Sequence, residues 1–193
     1  DYLVKRGVKH IDYLVITHSH DDHIGGAIEL IDRISVSSLI VSRYDKSSLL
    51  DALINFAKRK EIKIYYLGQG SSFMLGNIKI HVLGPGCDDE NLNNISLVLY
   101  FTVGKSRFLF MGDMEDKEKE IINIYDIDVD YIKVGHHGSN TSSSSEFVGA
   151  IRPKYAIVSV GENNKYNLPD DIVIKRYLSQ GSKLHFTNKD GSF

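Results

Sequence analysis

The segment His18-Ser19-His20-Asp21-Asp22-His23 carries four potential metal ligands in six residues, in the pattern His-x-His-x-Asp-His. Imidazole nitrogen and carboxylate oxygen together suit zinc, manganese or iron. His18 and His20 are two apart, so a locally extended backbone points them the same way. Asp22 and His23 are adjacent and point differently, which lets them serve a second metal. The chain holds eight histidines in 193 residues, and three of them within six positions is a clustering that chance rarely gives. Two further places carry the same residue types. Gly112-Asp113 follows the apolar run Arg107-Phe108-Leu109-Phe110-Met111, and a carboxylate just past a strand can bridge two metals. His136-His137-Gly138-Ser139 follows Tyr131-Ile132-Lys133-Val134, where paired histidines are again placed like ligands.

The elements that position these residues can be read from period and punctuation. Ile11–Thr17 is apolar and partly β-branched and reads as a strand over 12–17, followed by the ligand loop and a helix over about 24–34. In open αβ sheets, sites form at such carboxyl ends of strands. Residues 1–7 read as a helix end closed by Gly7. A strand over 38–42 and a helix over 46–60 come next, the helix with Leu49, Leu50, Leu53, Ile54 and Ala57 on one face. Lys58-Arg59-Lys60 complements the helix dipole at its end. From residue 62 the period is two: a strand over 62–66, a hairpin around Gly76-Asn77, and a second around Gly104-Lys105 joining 95–103 to 106–111. A helix over 116–125, a strand over 129–134, a helix to about 151 capped by Ser143 and Glu146, a strand over 155–160, a helix over 170–179 and a strand over 183–187 complete the pattern. Asp190-Gly191 reads as a further hairpin turn, and His10, His81 and His185 as surface residues. This mix of hairpins with flanking βα units predicts an α/β (α+β) chain of two facing sheets with helices outside.

The bulk composition narrows the classes. Apolar residues make up 42% and charged residues 25%, as in ordinary globular proteins. The length suits one domain over 1–193 with a real core. No apolar run approaches the roughly 20 residues of a membrane span, and no signal peptide is visible. The single cysteine, Cys87, excludes an internal disulfide, and a net charge of −2 excludes a broad nucleic-acid footprint.

The chain resembles the metallo-β-lactamase superfamily and, more narrowly, the hydrolase domain of the ComEC-type competence family of DNA uptake. The resemblance covers about residues 8–190 and rests on Thr17–Gly26, Asn94–Leu99, Met111-Gly112-Asp113, Lys133–Ser139, Pro153–Ala156 and Ser159-Val160-Gly161. It implies a four-layer αββα sandwich with a dinuclear site of two divalent ions, zinc or manganese, between the sheets. In that pattern His18 and His20 hold one metal, Asp22, His23 and His136 hold the other, and Asp113 bridges them. The superfamily often has another histidine where this chain has Asn93-Asn94. Asn94 then gives a weak carbonyl ligand or only orients a water. The family's Tyr-Gly-His-Pro is Tyr166-Asn167-Leu168-Pro169 here, so the histidine at 168 is absent. The strands with which the superfamily fold begins are also missing, and the chain is expected to be a fragment of a longer protein. By resemblance its place is the extracytoplasmic face of a bacterial membrane, or outside the cell, with a membrane channel domain of the same chain as partner.

Two metals about 3.5–4 Å apart hold a hydroxide at neutral pH and polarise a phosphoryl oxygen. The expected activity is therefore hydrolysis of phosphodiesters, with Asp22, Asp113 and His137 as catalytic residues. His137 either donates a proton to the leaving group or supports its neighbours. Ser139, Asn140 and Thr141 lead to a helix N-terminus whose N–H groups suit a phosphate. Lys165 and Tyr166 either contact substrate or form plain surface. DNA is the expected substrate. The alternatives are a small-phosphodiester or phosphocholine-esterase-like hydrolase, and a non-catalytic metal-bearing accessory domain.

Overall fold

The computed structural model describes residues 2–191. After α1 (Tyr2–Lys5) the chain alternates β1 (His10–Ile16), α2 (Asp21–Ile24), α3 (Ala27–Arg33), β2 (Ser35–Ser42), α4 (Ser48–Arg59) and β3 (Lys63–Leu67). These three strands pair in parallel in the order β1-β2-β3. Next come β4 (Ser72–Leu75), β5 (Ile78–Gly84), β6 (Val98–Val103) and β7 (Ser106–Phe110), an antiparallel meander. The chain then returns to crossovers with α5 (Glu118–Ile124), β8 (Tyr131–Lys133), α6 (Ser145–Ile151), β9 (Tyr155–Val158), α7 (Asp171–Ser179), β10 (Lys183–Phe186) and α8 (Thr187–Asp190). The second sheet is seven-stranded, in the order β10-β9-β8-β7-β6-β5-β4.

Period-two alternation divides the strand residues between faces. Leu14, Ile16, Leu39 and Val41 pack on Ala27 and Ile31 of α3 and on Leu50, Leu53 and Ala57 of α4. Tyr13, Val15 and Ile40 point the other way and meet Ile80, Val82, Leu97 and Leu99 between the sheets. On the far face of the second sheet, Val98, Leu109, Ile132 and Ala156 pack against Ile121, Phe147, Val148, Val173 and Tyr177 of α5, α6 and α7. The result is an αββα sandwich, the architecture expected of the sequence. Ser47 caps α4 by accepting the Leu50 N–H at 3.1 Å. Leu49, expected on the apolar face of α4, is 47% exposed, because the stripe that packs on the sheet starts at Leu50.

Three local differences bear on the site. The helix expected over 24–34 is broken at Gly25-Gly26 into α2 and α3. Gly25 N donates to Asp21 O at 2.8 Å, and a side chain at Gly25 would put its Cβ only 2.5 Å from that oxygen. The glycine thus closes a single turn, which carries Asp22 and His23. The N-cap of α6 is Ser144, whose hydroxyl accepts the Phe147 N–H at 3.3 Å, and not Ser143. Ser143 is left-handed (φ 54°) and precedes the helix. Asp190 ends the short α8, and the second arm of the hairpin expected after Gly191 lies outside the described residues. Among the described residues no helix is long and apolar enough to cross a membrane.

Candidate metal centre

Loops after β1, β7 and β8 carry most of the expected ligand residues. The β1 loop supplies His18 through His23. The β7 loop supplies Asp113 after Gly112, which is left-handed (φ 57°) and would bring a Cβ to 2.8 Å from Ser96 Cβ. Glycine is therefore required for the chain to pass Ser96 and deliver Asp113. The β8 loop is a 3₁₀ turn over Gly135–Gly138 in which His136 and His137 are both left-handed (φ 44° and 53°).

Asp22, His23, Asp113 and His137 each offer a ligand atom, and these atoms all lie within 4.8 Å of one another. His23 Nε2 is 3.1 Å from Asp113 Oδ2, and His137 Nε2 is 3.3 Å from the same oxygen and 3.2 Å from Asp22 Oδ2. His137 Nδ1 lies 2.7 Å from Ser159 O, so this nitrogen carries the proton and donates it. In the neutral ring Nε2 then holds a bare lone pair, and it is buried without a hydrogen bond among the described residues. A lone pair aimed at two carboxylates is repulsive unless a proton or a metal ion lies between them. The donor set therefore fits a divalent metal, with Ser159 fixing the tautomer. Burial pushes the Asp113 carboxyl up, but His137 and His23 with the Lys133 charge outweigh it and hold it well below the usual carboxylate range. The same carboxylate raises the pKa of His137 against burial. A bound metal would displace that proton.

The other half is smaller. His18 Nε2 and His20 Nδ1 are 3.1 Å apart, with the rings edge-on. His18 is fully buried, and burial together with the adjacent His23 lowers its pKa to about 3. It is thus neutral and able to ligate. Its Nδ1 sits 3.1 Å from Thr17 Oγ1 and 3.2 Å from Ser96 Oγ. Ser96 Oγ also accepts the Asp113 N–H at 3.1 Å, so one hydroxyl sets a residue in each half. Ser96 was not recognisable as a site residue from spacing. Its only signal was its place in the Asn94–Leu99 stretch.

Several expected site residues stand elsewhere. Asn94 turns away from the ligands: Oδ1 accepts the Glu115 N–H at 3.2 Å, and Nδ2 donates to Asp116 Oδ1 at 2.8 Å. It ties the loop before β6 to the loop before α5. His136 and His137 exchange the places expected of them. His136 Nδ1 meets Glu115 Oε1 at 3.0 Å and Thr141 Oγ1 at 3.1 Å, outside the four-residue cluster, while His137 lies inside it. The amides expected to hold a phosphate are already engaged. Asn140 N donates to Asp170 Oδ2 at 2.7 Å, and Ser143 N and Ser144 N donate to the buried Glu118 carboxylate at 2.8 and 2.6 Å. Thr141 Oγ1 donates to Glu115 Oε1 at 3.0 Å. Of that loop Ser139 lines the cleft, a cavity of about 930 Å³ bounded also by His20, Asp22, Asp113, His136 and His137.

Lys165, Tyr166 and Leu168 line the same cleft. Their loop is stapled by Asn164, whose Nδ2 donates to Leu168 O at 2.8 Å and whose Oδ1 accepts the Leu168 N–H at 2.9 Å. Tyr166 is 68% exposed, with Lys165 Nζ 4.7 Å from its ring centre. Lys133, which sequence reasoning passed over, donates to Gly112 O at 2.8 Å and to Asp113 Oδ1 at 3.3 Å.

The family model of the metallo-β-lactamase superfamily matches residues 1–162. The chain belongs to the metallo-β-lactamase superfamily. Within it, the chain is 33% identical over 195 residues to ComE operon protein 3 of Bacillus subtilis, covering 99% of this chain and 25% of that protein. It is 28% identical over 194 residues to competence protein ComA of Neisseria gonorrhoeae, covering 96% of this chain and 25% of that protein. The chain thus spans about a quarter of the length of these relatives. Among solved structures, CmlA, a diiron β-hydroxylase from Streptomyces venezuelae, matches with a TM-score of 0.67 at 14% identity, over 93% of this chain and 44% of that one. That likeness is one of fold: a metallo-β-lactamase fold also serves a hydroxylase, so the reaction must be argued from the site.

Proposed function

We propose that this chain is the metal-dependent hydrolase unit of a DNA-uptake system and that it cleaves phosphodiester bonds. The observation that carries the metal part is the convergence of Asp22, His23, Asp113 and His137, with the buried His137 Nε2 directed at both carboxylates. In this reading these four hold one divalent ion, zinc or manganese. His18 and His20 would hold a second, weaker one. When bound, such ions supply Lewis-acid chemistry, drawing charge from a phosphoryl oxygen and acidifying water.

The chain's own residues supply the rest. Ser159 and Ser96 orient His137 and His18. Glu115 holds His136 by Nδ1, and His136 lines the cleft. His136 is thus the group placed to hand a proton to a leaving oxygen, and His137 is not. Lys165 supplies the cationic contact for a phosphate and Tyr166 a flat face for an adjoining ring. DNA as substrate, and a membrane channel as partner, are suggested by the names of the competence relatives.

Asp21, Asp22 and Asp170 at the cleft favour a second reading, a hydrolase of small phosphodiesters, because they repel a long polyanion. Turnover of bis(4-nitrophenyl) phosphate and of an oligonucleotide with manganese or zinc tests both. Cleavage of both substrates, lost on chelation and in His20→Ala, is the expected result. Cleavage of the small ester alone selects the second reading. No cleavage of either by metal-loaded protein makes the chain a non-catalytic accessory domain. β-Lactam turnover without phosphodiester turnover overturns the assignment.

A further inference from the structure

We propose that Lys133 stands in for a second cation: its ammonium holds Asp113 Oδ1, the carboxylate oxygen that does not face His23 and His137. The centre is thereby set to one tightly held ion. The inference rests on the metal reading above and adds a limit to it.

The placement follows from the strand. In β8 the side chains alternate, and Ile132 is fully buried against the helices. Lys133 therefore points to the opposite face, beside Phe110 of β7, its register partner. There Nζ donates to Gly112 O at 2.8 Å and to Asp113 Oδ1 at 3.3 Å, gripping backbone and side chain of consecutive residues. Asp113 is thus divided. Oδ2 faces His23 Nε2 at 3.1 Å and His137 Nε2 at 3.3 Å, while Oδ1 faces the lysine. One of its two oxygens is therefore already engaged by a cation.

Charge points the same way. Asp22 and Asp113 bring two negative charges to the centre, and Lys133 balances one of them. One divalent ion then leaves a single positive excess, which a hydroxide or a phosphate offsets. A second ion would have to enter beside the ammonium in a partly buried site, where like charges repel strongly. Asn94 adds an independent reason, since both ends of its amide are tied to Glu115 and Asp116, so its carbonyl is not offered to the His18–His20 pair.

Manganese(II) added to the metal-free chain, followed by electron paramagnetic resonance, tests this without reference to activity. Free and bound ions are distinguished by intensity, and paired ions by their spin-coupled spectrum. Wild type is expected to hold one ion tightly and the second far more weakly. In Lys133→Met, which keeps the apolar stem and removes the charge, the second ion should bind at least about tenfold tighter, with a spin-coupled signal near two equivalents. Lys133→Arg should behave as wild type. A purely structural lysine would instead lower the melting temperature and weaken the first ion in Lys133→Met, leaving the second unchanged, and that outcome overturns the proposal. So do two equally tight ions in wild type. If Lys133→Met does not fold, Lys133→Gln is read by the same criteria. A wild type that takes up no ion overturns the functional reading together with this one. One tight ion in wild type and in both variants, with the second unmoved, overturns this one alone.

Discussion

Four side chains from three loops make one half of the centre, while the other half draws both its nitrogens from a single loop. Asp22, His23, Asp113 and His137 converge within 4.8 Å under three constraints: the α2 turn for Asp22 and His23, the Gly112 passage for Asp113, and the Ser159 carbonyl for His137. His18 and His20 lie 3.1 Å apart because they alternate on one extended segment, and His18 leans on Thr17 and Ser96 for orientation. A site assembled from several elements depends on the whole fold but loses only part of its ligand set with any one substitution. A site built on one loop is cheap to encode and easily left incomplete, as the turned-away Asn94 shows.

Substitutions that break the comparison rank by how directly they reach the ligand atoms. Asp113→Ala removes the carboxylate that His23, His137 and Lys133 all contact and should lower metal affinity at least about 100-fold, more than any other single change, as elemental analysis of desalted protein would read. His137→Ala should weaken only the four-residue half and lose metal by a similar or slightly smaller factor. His136→Ala, one residue away, should keep its metal and lose about 10²–10⁴ in single-turnover rate on an unactivated ester. It should lose much less on a nitrophenyl ester, whose leaving group needs no proton.

Smaller effects sharpen the same contrast. Ser96→Ala unpins one residue in each half and should cost about 10–100-fold in metal affinity by titration calorimetry. Asn94→Ala should leave metal content unchanged and reduce unfolding free energy by about 1–3 kcal/mol, because the Glu115 N–H and the Asp116 carboxylate lose their partner. A loss of metal in Asn94→Ala would restore that residue to the ligand set.

The smallest effect lies away from the centre. Arg107 and Lys154 hold the Asp130 carboxyl well below the usual carboxylate range. A depressed folded pKa means a stabilisation present above the unfolded value near 4 and lost as pH falls below it. Asp130→Asn should therefore flatten the fall of melting temperature between about pH 4 and pH 2 while lowering it at pH 7.

The sequence made the layers legible because strand period and helix stripe are local properties. Leu39 and Val41 against Ile40 already predict the two faces of β2, and Leu50, Leu53, Ile54 and Ala57 the buried stripe of α4. His18, His20, Asp22, His23 and Asp113 were legible because spacing and strand ends reveal them. What was not legible depended on backbone twist and on partners distant in the chain. Two adjacent histidines look alike in sequence, and the left-handed turn at 136–137 decides which one enters. The amides of Ser143 and Ser144 look like an anion site until Glu118, some 25 residues earlier, fills it. Lys133 reads as an ordinary strand lysine until β7 and β8 pair and bring Asp113 beside it.

The central claim is that His137, and not His136, completes the four-residue half. Electron–nuclear double resonance on the protein loaded with one equivalent of manganese(II) counts the imidazole nitrogens on the ion. The account predicts coupling to two histidine nitrogens in wild type and in His136→Ala, and to one in His137→Ala. Loss of a nitrogen in His136→Ala with both retained in His137→Ala would contradict it.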